Sequence, residues 1–404
     1  MKSFISFRFV LGLIMIFFLF NSCYLARDIY WNFATINDYK KFQYLDVKKP
    51  DVPFTFKKSI KGISFDTITY DHKLYKFDDF LDENNCVAFL IIRNDSILYE
   101  KYFDKRNEES FVPSFSMSKS IVSALVGIAI ADGKIKSVDQ PITDYLPELI
   151  KQDERFSKIT IKDLLNMRSG ILYKESYNNP FGNAAKSYYG TNLLVQMNKL
   201  KIIDEPDKNF EYKSINPQLL SFIIERATGK KIPDYLEEKI WQPLGMEYDA
   251  TWSIDSRRHK EAKAFCCLNA RARDFAKFGR LYLDKGNWNG KQIIPKDWVE
   301  ESTIVNKNTQ NFFYSYLWWH NVEQTKISDT SKAKGNEVSR ITTNTDKEGK
   351  TVKYLQKPMN DFFASGLLGQ FIYVYPAKNV IIVRLGKKSE VNWPGLFNKI
   401  AKEL

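Results

Sequence analysis

The sequence predicts an α+β fold (an α/β sandwich): an antiparallel β-sheet flanked by helices, with a mostly helical subdomain. Three observations carry this. Two β-rich runs about a short Asn94-Asp95 turn open the main part of the chain, and two more about Pro376–Asn379 close it. Each pair reads as a hairpin, since β-rich runs joined by turn residues pair as neighbours. Between the hairpins lie apolar residues at helical spacing, so strands from both ends form a sheet with helices packed on it.

Lys2 and Arg8 precede an apolar run from Phe9 to Phe20. Its twelve residues are short for a membrane span and suit a signal-peptide core. Asn21-Ser22-Cys23 follows and resembles a bacterial lipoprotein cleavage site, with Cys23 as the lipidated residue. An uncleaved anchor starting near Phe4 is the alternative. Either reading predicts an exported protein of the cell envelope, membrane-tethered through its N-terminus and facing the periplasm or the exterior. Residues 1–23 are therefore signal or anchor, residues 24–80 a tether with early structure, and residues 81–404 one domain.

Within that domain, Val87–Ile92 and Ile97–Phe103 are the first strands. The helix opened by Ser116 carries Ile121, Val122, Leu125, Val126, Ile128 and Ile130, and stops at Asp132-Gly133. Residues 134–260 read as helices and loops, with a capping threonine at Thr160 and a helix from Pro217 to its stop at Gly229. Ala270–Leu283 is another helix, with Phe275, Phe278, Leu281 and Tyr282 on one face. Residues 321–360 are polar and charged, which predicts a long surface insertion. Gly369–Tyr375 and Val380–Leu385 are the closing strands.

Composition narrows the chemistry. With 44% apolar and 15% aromatic residues, the 404 residues bury an ample core without a disulfide framework. The net charge is +12, but its lysines are scattered, with no dense basic run, so nucleic acid is not expected as a partner. Cys86, Cys266 and Cys267 read as small core residues, because neighbouring cysteines rarely bond each other and no Cys-x-x-Cys occurs. The histidines are His72, His259 and His320, none in a His-Glu-x-x-His pattern. Gly-x-Ser-x-Gly elbows and glycine-rich phosphate loops are missing from the sequence. No metal and no cofactor is expected. A serine enzyme built from this chain works without histidine, which leaves lysine with a second base.

Ser116-Met117-Ser118-Lys119 offers that pair. Residues three apart on a helix share a face, with Cβ atoms roughly 5–6 Å apart, so the amine reaches the hydroxyl. The helix N-terminus also favours developing negative charge. A second copy, Ser331–Lys334, lies in a polar run without helical periodicity. The bland reading of the first copy, a helix cap followed by a solvated lysine, stays open on the motif alone. Tyr212 precedes the Pro217 helix with Ser214 and Asn216 beside it, and its phenol serves as a base where cationic neighbours lower its pKa. Ser365 and Gly366 lie in a run of small residues just before a strand, where backbone N–H groups can meet a carbonyl oxygen.

Together the three segments resemble the serine β-lactamase and DD-peptidase superfamily, in its class C β-lactamase-related branch. Ser116-x-x-Lys119 matches the first motif, Tyr212-Lys213-Ser214 the tyrosine motif, and Ala364-Ser365-Gly366 stands where β-lactamases carry Lys-Thr-Gly. Gly366-Leu367-Leu368-Gly369-Gln370 and Phe265-Cys266-Cys267-Leu268-Asn269-Ala270 are similar to the aminohexanoate-dimer hydrolases and allied esterases. The resemblance runs from about residue 80 to the C-terminus and implies a β-lactamase/transpeptidase-like fold. It implies a serine hydrolase in which Ser116 forms an acyl-enzyme, Lys119 and Tyr212 move protons, and the Ser116 and Leu367 N–H groups hold the oxyanion. Small-molecule esters or amides are the implied substrates. Two departures count against antibiotic hydrolysis: Ala364 replaces a lysine, and Asn216 lies four residues past the tyrosine. Trp318 and Trp319 are placed either in the pocket or in the core. The rival functions are a penicillin-binding or DD-peptidase-like protein that deacylates slowly, and a catalytically silent binding scaffold.

Overall fold

The structure, a computed structural model, describes residues 24–31, 33–59, 65–177, 179, 181–305, 312–327, 340–345, 349–388 and 390–404. The expected signal, anchor and lipidated Cys23 lie outside these residues, as does the second Ser-x-x-Lys at 331–334. Four helices organise the molecule: α1 (Ser118–Ala131), α2 (Ile215–Thr228), α3 (Ala272–Leu283) and α4 (Trp393–Glu403). Seven strands make most of the main sheet: β1 (Cys86–Arg93), β2 (Ser96–Tyr102), β3 (Trp318–Ile327), β4 (Arg340–Thr345), β5 (Thr351–Gly366), β6 (Gln370–Tyr375) and β7 (Val380–Gly386).

The order across the nine-stranded sheet is Tyr314–Ser315, β3, β5, β6, β7, β1, β2 and Lys57–Lys58, with β4 paired to the first part of β5. Every pairing is antiparallel except the last, where Lys57–Lys58 runs parallel to β2. The α+β expectation therefore holds, with one correction at the sheet edge. β1 is apolar from Cys86 to Ile92 because both its faces are covered. Leu90 and Ile92 join the core beneath the helical region, whereas Phe89 and Ile91 pack with Trp393 and Phe397 of α4. Asn94 and Asp95 take φ of +48° and +59°, the left-handed backbone that a tight two-residue hairpin needs.

α3 lies directly on the sheet. A Cβ at Gly279 would come within 2.9 Å of Ile381 and 3.0 Å of Ile372, so glycine sets that close approach. α1 is buried from Ser118 to Ala129 and packs against α2, which stops at Gly229 with φ +73°. Thr160 and Asp163 form a reciprocal capping box on the short helix Ile161–Leu165. A second sheet of Tyr44–Val47, Ala250–Ser253, Leu268–Ala270 and Val112–Pro113 feeds the chain into α1. The polar stretch at 321–360 contains β4 and much of β3 and β5, and the exposed run from Glu323 to Lys326 on β3 accounts for part of its polarity. Among the described residues, no helix is long and apolar enough to cross a membrane.

The packing of α1 yields a direct test. A Cβ at Gly127 would stand 2.5 Å from the Trp298 ring. Gly127→Val is expected to cost about 1–3 kcal/mol by overpacking, read as a lower urea midpoint. An unchanged midpoint would contradict the contact.

Candidate active site

The chain reaches the site through a tight 3₁₀ turn, Phe115–Met117, with α1 starting only at Ser118. Ser116 thus sits ahead of the α-helix rather than on its first turn. Phe115 takes φ +44°, a conformation that costs a bulky residue on the order of 1–3 kcal/mol and recurs at functional sites. The Ser114 N–H donates to the Leu268 carbonyl at 2.7 Å and fixes the approach.

Lys119 reaches back from α1. Its Nζ donates to Ser116 Oγ at 2.8 Å and to the Phe265 carbonyl at 2.7 Å. The side chain is 1% exposed, and loss of solvation lowers its pKa to about 8, against a weaker opposing pull from the Glu175 carboxylate. The Tyr212 ring centroid lies 5.0 Å from the same Nζ. Burial pushes the Tyr212 phenol above its ordinary value, against a smaller opposing pull from the Ser116 hydroxyl, which corrects the expectation that a cationic neighbour lowers it. Alcohol, amine and phenol therefore meet in one place.

The end of β5 closes the other side. Gly366 allows this, since a Cβ there would stand 2.3 Å from the Ser114 carbonyl oxygen and 3.2 Å from the Ser116 nitrogen. Leu368 and Gly369 turn the chain with φ of +64° and +81°. Two buried side chains hold that turn. Gln370 Nε2 donates to the Leu367 and Gly386 carbonyls at 3.1 and 2.7 Å. Arg384 donates to the Gly369 carbonyl at 2.5 Å and to the Asn84 and Lys388 carbonyls at 2.8 and 3.0 Å. Its guanidinium also lies 4.0 Å from the Trp393 ring centroid.

The remaining residues named from the sequence fall differently. Leu367 lines a cavity of about 160 Å³ that includes Ser116. Ser365 pairs with Phe371 at the strand end. Ser214 is tied to Glu175, donating from its backbone N–H at 2.8 Å and from Oγ at 2.5 Å. Asn216 is fully buried, with Oδ1 accepting from Ser169 Oγ at 2.8 Å and Nδ2 against Met167 Sδ, so its amide supports α2. Trp318 belongs to the core, stacked on Phe278, whereas Trp319 stands 5.6 Å from the Tyr212 ring.

Several participants have no local sequence signal. Glu175, 39 residues from Ser214, also accepts a hydrogen bond from the Tyr177 hydroxyl. Lys263 is buried and donates to the carbonyls of Ser187, Tyr188 and Gly190, closing the helix Asn183–Tyr189 that walls the cavity. Burial lowers that lysine to about 7. Cys266 and Cys267 are bonded to each other, which corrects the reading of two separate core thiols. Cys267 takes a left-handed φ of +78°, and Cys266 lines the cavity. Among the described residues, no group of three or more His, Cys, Asp or Glu could hold a metal ion.

The chain is similar to several known proteins. The 6-aminohexanoate-dimer hydrolase of Paenarthrobacter ureafaciens is 29% identical over 242 residues, 54% of this chain and 57% of that protein. The chain thus spans less than two thirds of that relative. A solved structure described as a putative 6-aminohexanoate-dimer hydrolase from Bacillus anthracis superposes with a TM-score of 0.73 at 22% identity, covering 95% of this chain and 96% of that one. A class C beta-lactamase superposes at 0.54 and 15% identity, covering 79% and 91%. These two show a shared fold. The Beta-lactamase family itself matches residues 76–402, and on that match, together with the Ser116 turn at the head of a buried helix, the chain belongs to the beta-lactamase family.

Proposed function

We propose that the protein is a serine hydrolase that cleaves an ester or amide through an acyl-enzyme on Ser116, and that it is not an efficient β-lactamase. The observation that carries this is the 2.8 Å contact between Lys119 Nζ and Ser116 Oγ in a desolvated setting. An amine lowered to about 8 is substantially neutral in mildly alkaline solution, so it can take the serine proton as Oγ attacks the carbonyl. Tyr212, whose phenol burial keeps protonated, gives its proton to the leaving alcohol or amine as it takes one from Lys119, and the same relay in reverse activates water for deacylation. The Ser116 and Leu367 N–H groups stabilise the oxyanion, each such donor being worth about 3–4 kcal/mol. Ala364 supplies no cation to grip a carboxylate, which argues against anionic antibiotics. The name of the Paenarthrobacter relative supports an amide substrate. The apolar run before Cys23 supports export and membrane tethering.

Labelling by a fluorophosphonate probe is expected to disappear in Ser116→Ala, with hydrolysis of p-nitrophenyl acetate falling at least about a thousandfold at unchanged stability. Retained turnover in that variant would end the assignment. A stable adduct without turnover would mark instead a slow-deacylating acceptor.

The pH profile follows from the lysine. A lowered amine becomes the active free base as pH rises through about 8, so kcat/KM is expected to climb to a plateau above that value. The Glu175 carboxylate favours the ammonium form, so Glu175→Gln lets the proton leave more easily. Its limb is expected to move to lower pH. A limb that stays in place, or moves up, would contradict the assignment of Lys119 as base.

A further inference from the structure

The wall of the cavity is built partly by the N-terminal segment. Phe33 and Ala34 line it, two residues after the helix Tyr24–Trp31. That helix packs on Asn183–Tyr189, which contributes Tyr188 and Tyr189 to the same cavity, with Trp31 6.1 Å from Tyr189. An eight-residue helix is about 12 Å long. The described chain therefore begins, at Tyr24, one short helix from the cavity wall, just past the apolar run from Phe9 to Phe20.

The segments framing the mouth also expose large apolar side chains. Phe33 is 61% exposed and Tyr177 41%, and both line the cavity from different segments. Tyr30, on the helix that leads to Phe33, is exposed as well. Single exposed apolar residues are ordinary, but two aromatic rings from different segments at one opening mark a contact surface. Aromatic rings with a polar end settle at the boundary between headgroups and acyl chains. Inside, the cavity is lined by Phe115, Phe265, Leu367 and Leu368 beside Ser116, which suits an uncharged acyl chain.

We propose that the N-terminal tether holds the mouth of this cavity against the bilayer, so that the site takes the acyl chain of an amphiphilic ester or amide from the lipid phase. The proposal rests on the hydrolase reading above for its chemistry. Ser116 Oγ bonds to the substrate carbonyl carbon, the bond to the alcohol or amine breaks, and the leaving group carries away the serine proton. Water then cleaves the acyl-serine ester, restoring the hydroxyl and releasing the carboxylic acid.

The test uses the full chain in phosphatidylcholine vesicles, beside a variant with a 20-residue Gly-Ser linker inserted between Cys23 and Tyr24. Such a linker spans roughly 25 Å on average and frees the mouth from the surface without changing any residue. Both proteins are expected to float with vesicles. The ratio of p-nitrophenyl decanoate to p-nitrophenyl acetate turnover is expected to fall at least tenfold in the linker variant, with acetate turnover unchanged. Hydrogen exchange at Tyr24–Trp31 and Leu172–Tyr177 is expected to be at least fivefold slower in the wild type, with the hairpin Thr67–Lys76 equal in both. Wild type that does not float, or equal exchange in the two proteins, would overturn the proposal, as would an unchanged ratio. Loss of all turnover with the exchange difference intact would instead remove the hydrolase reading and leave the docking standing.

Discussion

The arrangement depends on one amine taken out of water. Lys119 has no carboxylate partner within ion-pair distance among the described residues, only a hydroxyl and a carbonyl to accept its protons. A buried ammonium so placed is costly, and the group responds by releasing its proton more readily. That response requires the surroundings to stay closed. The segment behind the amine is accordingly tied down: Ser118 Oγ donates to the Ala264 carbonyl at 3.0 Å, Gln218 Oε1 accepts from the Ala264 N–H at 3.1 Å, and Trp252 Nε1 donates to the Cys266 carbonyl at 3.0 Å. α1 is buried along nearly its full length for the same reason, since a frayed helix would let water reach Nζ.

Two other buried basic side chains fasten the walls. Lys263 is ringed by three backbone carbonyls at the end of the helix that lines the cavity. Arg384 spreads its donors over Gly369, Asn84 and Lys388, bridging the turn after β5 to the start of β1. A buried polar group is tolerated where its donors find acceptors, here backbone carbonyls and the Cys86 sulfur, and each group then ties one segment to another. The catalytic proposal thus rests on a rigid frame in which the Ser116 turn, the end of β5 and the 262–267 segment cannot move independently.

Much of the fold was legible because its signals are local. The unbroken apolar run of β1, the left-handed Asn94-Asp95 turn and the Gly229 stop each state their structure within a few residues. Ser116 and Lys119 were legible for the same reason, lying three apart at the head of an apolar helix. Glu175 was not, because its partner lies 39 residues away and an isolated acidic residue in a polar loop reads as solvated. Lys263 and Arg384 look like surface charges in a chain with 60 lysines and arginines, and only the folded contacts reveal them as buried. The strand content of 321–360 was hidden because these strands carry runs of exposed residues, such as that from Glu323 to Lys326, that read as a loop. The start of α1 was read two residues early because Ser116 spends its backbone on the preceding 3₁₀ turn.

The most direct measurement is the titration of Lys119 itself, by NMR of protein carrying 13C at the lysine ε-carbons, with its signal identified by absence in Lys119→Met. The account expects a midpoint near 8, well below an ordinary lysine at about 10.4. A Lys119 signal that titrates with the exposed lysines would contradict it, because an amine still fully charged at that pH could not accept the proton of Ser116.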